Sequence, residues 1–210
     1  MKFNALKQRI KLLPVFSTSM LSTISKDTAS LKVQISGWKK KGLILQLRKG
    51  LYILNKDERD IEPSLFYLAN QIFIPSYVSL EAALAYYGLI PEFVPATTSI
   101  TTRKTCKFKN EFGVFTYQHV KPNNFGGFNA IQDQKTNLTI LIASAEKAVI
   151  DFFYLNLSDF NVSKKLIFTK SYRFQNCSDL KSTKLLQYAK IFRSKKLLEI
   201  TRLFISELVK

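Results

Sequence analysis

Six cations crowd a short stretch of this chain: Lys32, Lys39, Lys40, Lys41, Arg48 and Lys49, with Thr28, Ser30, Val33 and Ser36 among them. Lysine and arginine neutralise phosphates, hydroxyls donate to phosphate or base edges, and an outward valine suits a thymine methyl. The chemistry this set could do is duplex DNA recognition. Ser30, Lys32, Val33, Ser36 and Lys40 are candidates for groove contact, with Thr28 at the start of the same helix, and Lys39, Lys41, Arg48 and Lys49 for the phosphates beside it. The plainer alternative is a solvated basic face carrying a chance exposed valine.

Two elements must position these residues. Leu31, Ile35 and Trp38 recur at i, i+4 and i+7, which predicts a helix with Ala29, Val33, Ser36 and Lys40 on its other face. Gly42 ends it. The apolar runs 43–47 and 51–54, joined by Arg48-Lys49-Gly50, predict a tight hairpin whose glycine takes positive φ. Upstream, Phe3, Leu6, Ile10 and Leu13 predict a first helix closed by Pro14. Ser17 or Thr18 caps a second helix reaching about Ile24, and Asp27 or Thr28 caps the third. Helix, helix, turn, helix, hairpin is the order of a winged helix-turn-helix over 1–56. A small αββ unit with a basic face is the alternative.

Charge agrees with an anionic partner. The chain has 32 Lys and Arg against 15 Asp and Glu, a formal charge of +17 over 210 residues, at 46% hydrophobic and 22% charged composition. That is globular, with enough chain for one or two cores. The excess positive charge points to nucleic acid, an anionic membrane surface or an acidic protein. It is concentrated at the ends: residues 1–60 hold 13 basic against 4 acidic side chains, 61–157 hold 7 against 7, and 158–210 hold 12 against 4.

Residues 55–60, NKDERD, form a charged linker and predict a boundary between two cores with few shared contacts. Beyond it, Leu65, Leu68, Ala69 and Ile72 predict a helix over 61–73. Ser79 as N-cap, Glu81 in the first turn and Gly88 past the end delimit the next one. Runs 97–102, 112–120 and 138–143 predict a small antiparallel sheet, with 103–109 a basic connection and 121–127 a loop. Ser144 caps a further helix. The tail from 180 on carries apolar residues at helical spacing, with Ser194 capping a separate final helix. Its basic residues offer either a second nucleic-acid or acidic-protein surface or a solvated face. The fold class expected is therefore α+β, with a domain at 61–210 behind the DNA-binding one.

Catalytic constellations are sparse. Ser144 and Lys147 fit S-x-x-K, where lysine activates a serine, but helix capping explains Ser144 as well. Glu92, Asp133 and Lys135 are similar to the acidic and D-x-K elements of metal-dependent nucleases, although 132–137 also reads as a turn. His119 stands alone, as a half-buried strand histidine. Cys106 and Cys177 lack disulfide or zinc spacing and suit reduced thiols in the cytoplasm. No glycine-rich phosphate loop, no run of the ~20 apolar residues a membrane span needs and no signal sequence is present. The expectation is a cytosolic non-enzyme with no cofactor, no metal and no membrane partner.

Four blocks carry a resemblance: Leu-Arg-Lys-Gly-Leu-Tyr-Ile-Leu at 47–54, Pro-Ser-Tyr-Val-Ser-Leu-Glu-Ala-Ala-Leu-Ala-Tyr-Tyr-Gly-Leu-Ile-Pro at 75–91, Ser-Ile-Thr-Thr at 99–102 and Ile-Ala-Ser-Ala-Glu-Lys-Ala-Val-Ile-Asp at 142–151. Together they resemble the AbiEi antitoxin family, in family order over about residues 5–157 and least over 158–210. The resemblance implies an antitoxin of a type IV toxin–antitoxin or abortive-infection system. Its winged helix would bind promoter DNA and repress its own operon, and its C-terminal region would counter a nucleotidyltransferase-like cognate toxin. The alternative function is a nucleic-acid-processing enzyme docked by a winged helix.

Overall fold

The computed structural model describes residues 2–24, 28–160, 168 and 172–209, and shows an α+β protein whose described strands form two sheets. Helix α1 (Phe3–Ile10) turns Leu6 and Ile10 fully inward. Strand β1 (Phe16–Ser17) follows, and Ser17 Oγ accepts the Met20 N–H at 3.1 Å, so Ser17 opens helix α2 (Thr18–Ile24). Helix α3 (Thr28–Lys40) buries Leu31, Ile35 and Trp38, as their spacing requires. The expected caps Asp27 and Thr28 lie outside the described residues as far as their side chains are concerned.

Helix α3 ends by a Schellman closure. Gly42 takes φ +67°, its N–H bonds to Lys39 O at 3.0 Å, and the Leu43 N–H bonds to Trp38 O at 3.0 Å, which satisfies two of the last carbonyls. Strands β2 (Ile44–Arg48) and β3 (Leu51–Leu54) then pair antiparallel with Arg48 opposite Leu51, leaving Lys49-Gly50 as the loop with Gly50 at φ +80°. Strand β1 adds to the other side of β3, giving the order β1-β3-β2. Two residues are too short to show alternation, so β1 has no periodic signal of its own.

The hairpin is buried on both sides. Ile44, Tyr52 and Leu54 pack with Leu6, Ile10, Phe16, Leu21, Leu31, Ile35 and Trp38, while Leu47, Leu51 and Ile53 join the larger core built from residue 68 onward. Successive strand residues face opposite ways, and Leu51-Tyr-Ile-Leu is apolar on both faces. The hairpin thus contributes side chains to both clusters. Two hydrogen bonds reinforce the junction, from Arg48 Nε to Ile72 O and from Asn110 Nδ2 to Leu47 O at 3.0 Å.

The larger body contains α4 (Leu65–Ile72), β4 (Ser76–Val78), α5 (Leu80–Tyr86), β5 (Ala96–Thr101), β6 (Cys106–Asn110), β7 (Gly113–His119), β8 (Phe128–Gln132), β9 (Thr139–Ala143), α6 (Ala145–Leu155), α7 (Ser182–Ile191) and α8 (Lys195–Leu208). Its strands form a six-stranded sheet in the order β6-β7-β5-β4-β9-β8. This corrects the expected small antiparallel sheet, because β5 runs parallel to β7 and β4 parallel to β9. Strand β4 is only three residues long and follows Pro75, which hides it. Strand β6 does alternate, with Cys106 and Phe108 half-buried and Lys107 and Lys109 on the other side, but its lysines make it read as a basic connection.

Serine caps start three helices of the larger body. Ser64, Ser144 and Ser194 accept the backbone N–H of Tyr67, Lys147 and Leu197 at 3.3, 3.2 and 3.3 Å, each replacing a bond the first turn cannot make internally. Ser79 differs from expectation. Thr98 Oγ1 accepts the Ala82 N–H at 3.0 Å in its stead, and the Ser79 hydroxyl turns inward. The tail is part of the core, since Leu185, Ala189, Phe192, Leu197, Ile200 and Phe204 pack into it. Among the described residues no helix is long and apolar enough to cross a membrane.

Candidate nucleic-acid interface

With Leu31, Ile35 and Trp38 fixed inward, helical geometry sends Lys32, Val33, Ser36, Lys39 and Lys40 outward. All five are exposed, Val33 at 73%. Lys41 follows at the end of the helix and Lys49 at the hairpin loop, both exposed. Among the described residues no ion pair involves Lys32, Lys40, Lys41 or Lys49. The face therefore presents positive charge with one exposed valine, Val33, among the lysines. Ser30 sits at its edge, half-buried, accepting a hydrogen bond from Gln34 Nε2 at 2.8 Å. The side chain of Thr28 is outside the described residues.

Two of the expected phosphate contacts are engaged within the protein. Arg48 is half-buried and donates from Nε to Ile72 O and from Nη1 to Lys49 O at 3.0 Å. Its guanidinium ties the hairpin to the end of α4. Lys39 Nζ donates to Gln46 Oε1 across from helix to strand. Gln46 was not a candidate from the sequence, because nothing in its spacing shows that β2 lies against the end of α3.

A second polar constellation lies wholly inside the larger body. Lys147 Nζ, on α6, donates to Asp151 Oδ1 one turn later and to Tyr77 OH at 3.0 Å; Tyr77 OH and Ser79 Oγ donate to Asp151 Oδ2 at 3.0 and 2.9 Å. The Lys147 and Asp151 side chains are 2% and 0% exposed. Burial, opposed by the charge of its partner, holds the Lys147 ammonium below the usual lysine range and the Asp151 carboxyl above the usual carboxylate range. Burial and the neighbouring carboxylate push the Tyr77 phenol far above the usual tyrosine range. The sequence signal for this group was a lysine and an aspartate four apart in an otherwise apolar helix.

The same geometry bears on the S-x-x-K pattern. Ser144 Oγ accepts the Lys147 backbone N–H, whereas Lys147 Nζ is committed to Asp151 and Tyr77. Ser144 is a helix cap. Asp133 Oδ1 accepts from Lys135 N, Thr136 N and Thr136 Oγ1, each at 3.0 Å, which is turn chemistry. Glu92 instead pairs with Arg173 at 2.6 Å. His119 is exposed at the end of β7, not half-buried, with Nδ1 2.9 Å from Arg103 O. Cys106 and Cys177 are both free thiols. Among the described residues no three His, Cys, Asp or Glu side chains gather as a metal ion would need.

No protein-family model matches this chain, and no curated protein sequence matches it.

Proposed function

We propose that the chain is a DNA-binding antitoxin of the AbiEi type. Residues 1–56 act as a winged helix-turn-helix that binds the promoter of its own operon, with α3 in the major groove and the Lys49 loop beside it. The body at 61–210 counters a nucleotidyltransferase-like toxin in the cytoplasm and performs no catalysis of its own. The observation that carries the DNA reading is the outward face of α3. On that face the exposed Val33 stands beside Lys32 and one turn from Ser36, with Lys40 two turns on, a set that suits a groove floor bordered by phosphates. The motif blocks behind the resemblance support the rest, since they form the β2–β3 hairpin, β4 with α5, the buried strand β5, and α6.

A paired assay tests this. The chain is expressed beside the neighbouring nucleotidyltransferase-like gene and, separately, beside a reporter driven by its own promoter. The native chain should restore growth and repress the reporter. Lys32→Ala with Lys40→Ala and Lys49→Ala should relieve repression and preserve rescue. Ser144→Ala should preserve both, because losing a cap costs about 1 kcal/mol. Loss of rescue in that variant, with the fold intact by circular dichroism, would favour an enzyme; a native chain that neither represses nor rescues would reject the reading.

A further inference from the structure

On the larger body, the turn after β7 and the end of α7 border an open cleft of about 670 Å³. Its size is that of an ordinary small-molecule site, roughly 300–1,000 Å³. Lys121, Lys190 and Arg193 line it, and no carboxylate is among the lining residues. Among the described residues none of the three cations is ion-paired. Tyr154 and Phe192, with ring centroids 4.4 Å apart, supply an aromatic wall on which Phe192 is buried and Tyr154 half-exposed.

Lys190 and Arg193 lie at the C-terminal end of α7, where cations offset the helix dipole. That accounts for neither Lys121 nor Asn124. The Asn124 side chain lines the cleft at 7% exposure and, among the described residues, makes no side-chain hydrogen bond to the protein. Arg193 also holds φ +54°, a backbone region that asparagine or glycine occupies more readily than a long side chain.

We infer that this cleft is a nucleotide-binding site. Lys121, Lys190 and Arg193 hold the phosphates through charge-assisted hydrogen bonds, the base lies on the exposed side of Tyr154, and the Asn124 amide supplies a directional contact. The nucleotide is either free or the phosphorylated end of a single strand, and the chemistry of the site is the same for both. The inference stands apart from promoter recognition, since it uses no residue of α3.

Calorimetry on the full chain tests it with ATP, GTP, pyrophosphate and a 5′-phosphorylated trinucleotide, each alone, and with an unrelated DNA duplex. A nucleoside triphosphate or the phosphorylated trinucleotide should bind saturably at one site, and whichever is tighter identifies the source. Lys190→Ala with Arg193→Asn, both exposed positions and the second suited to a left-handed backbone, should weaken binding about tenfold or more, the loss expected for two charge-assisted contacts. Tyr154→Leu should weaken nucleotide but not pyrophosphate. Lys32→Ala with Lys40→Ala should change nothing here. Absence of saturable binding to all four small ligands, an unchanged affinity in the Lys190/Arg193 variant, an equal loss from the α3 variant, or binding of the duplex alone would overturn the inference.

Discussion

Asp151 has no exposed surface, yet it faces an ammonium, a phenol and a hydroxyl that satisfy both of its oxygens. Such a group is stable only as a set, because removing one member leaves the others desolvated without compensation. Asp151→Asn should therefore destabilise the chain by about 3–5 kcal/mol, since the Lys147 charge would remain buried without its counter-ion. Lys147→Met together with Asp151→Leu should cost less than the sum of the two single changes, because no buried charge is then left unpaired, although the Tyr77 and Ser79 hydroxyls lose their acceptor at about 1–3 kcal/mol each. Urea unfolding followed by circular dichroism would measure both; a single variant within about 1 kcal/mol of the native chain would show that the pair is solvated. The pair was half legible in the sequence. The i, i+4 spacing of Lys147 and Asp151 was a signal that the S-x-x-K pattern drew attention away from, and nothing local announced that Tyr77 and Ser79 would close over them from about seventy residues away.

At the scale of elements, the β2–β3 hairpin decides how the molecule divides. Its sequence announced a hairpin through the apolar runs and Gly50, and the outcome agrees. What the runs could not say was that both faces would find a core. Leu47, Leu51 and Ile53 pack into the larger body, and uncovering such side chains costs about 1.5–3 kcal/mol each. A fragment of residues 1–58 should accordingly be poorly folded or aggregated by comparison with the full chain. Gel filtration and circular dichroism of the fragment would check this; a monomeric, cooperatively melting 1–58 would contradict it. Strand β6 teaches a related lesson. Its alternation was present, but charge on the exposed side disguised a strand as a linker, whereas helices such as α6 and α8, with serine caps and broad apolar faces, were plain to read.

Across the whole molecule, the charge of +17 is held by a body whose apolar cores join through one hairpin. On the proposed reading the α3 face grips DNA through Lys32, Lys40 and Lys49, while Arg48 serves the hairpin junction. Fluorescence anisotropy of the full chain on a labelled fragment of its own promoter, titrated over a series of salt concentrations, tests it most directly. Each phosphate released contributes about −0.9 to the slope of log affinity against log salt. Lys32→Ala with Lys40→Ala and Lys49→Ala should lower affinity and flatten the slope by about 2 to 3, in keeping with three phosphate contacts, while Lys195→Ala with Lys196→Ala on α8 should leave the slope nearly unchanged. An α3 and loop variant with native affinity and native slope would contradict the account.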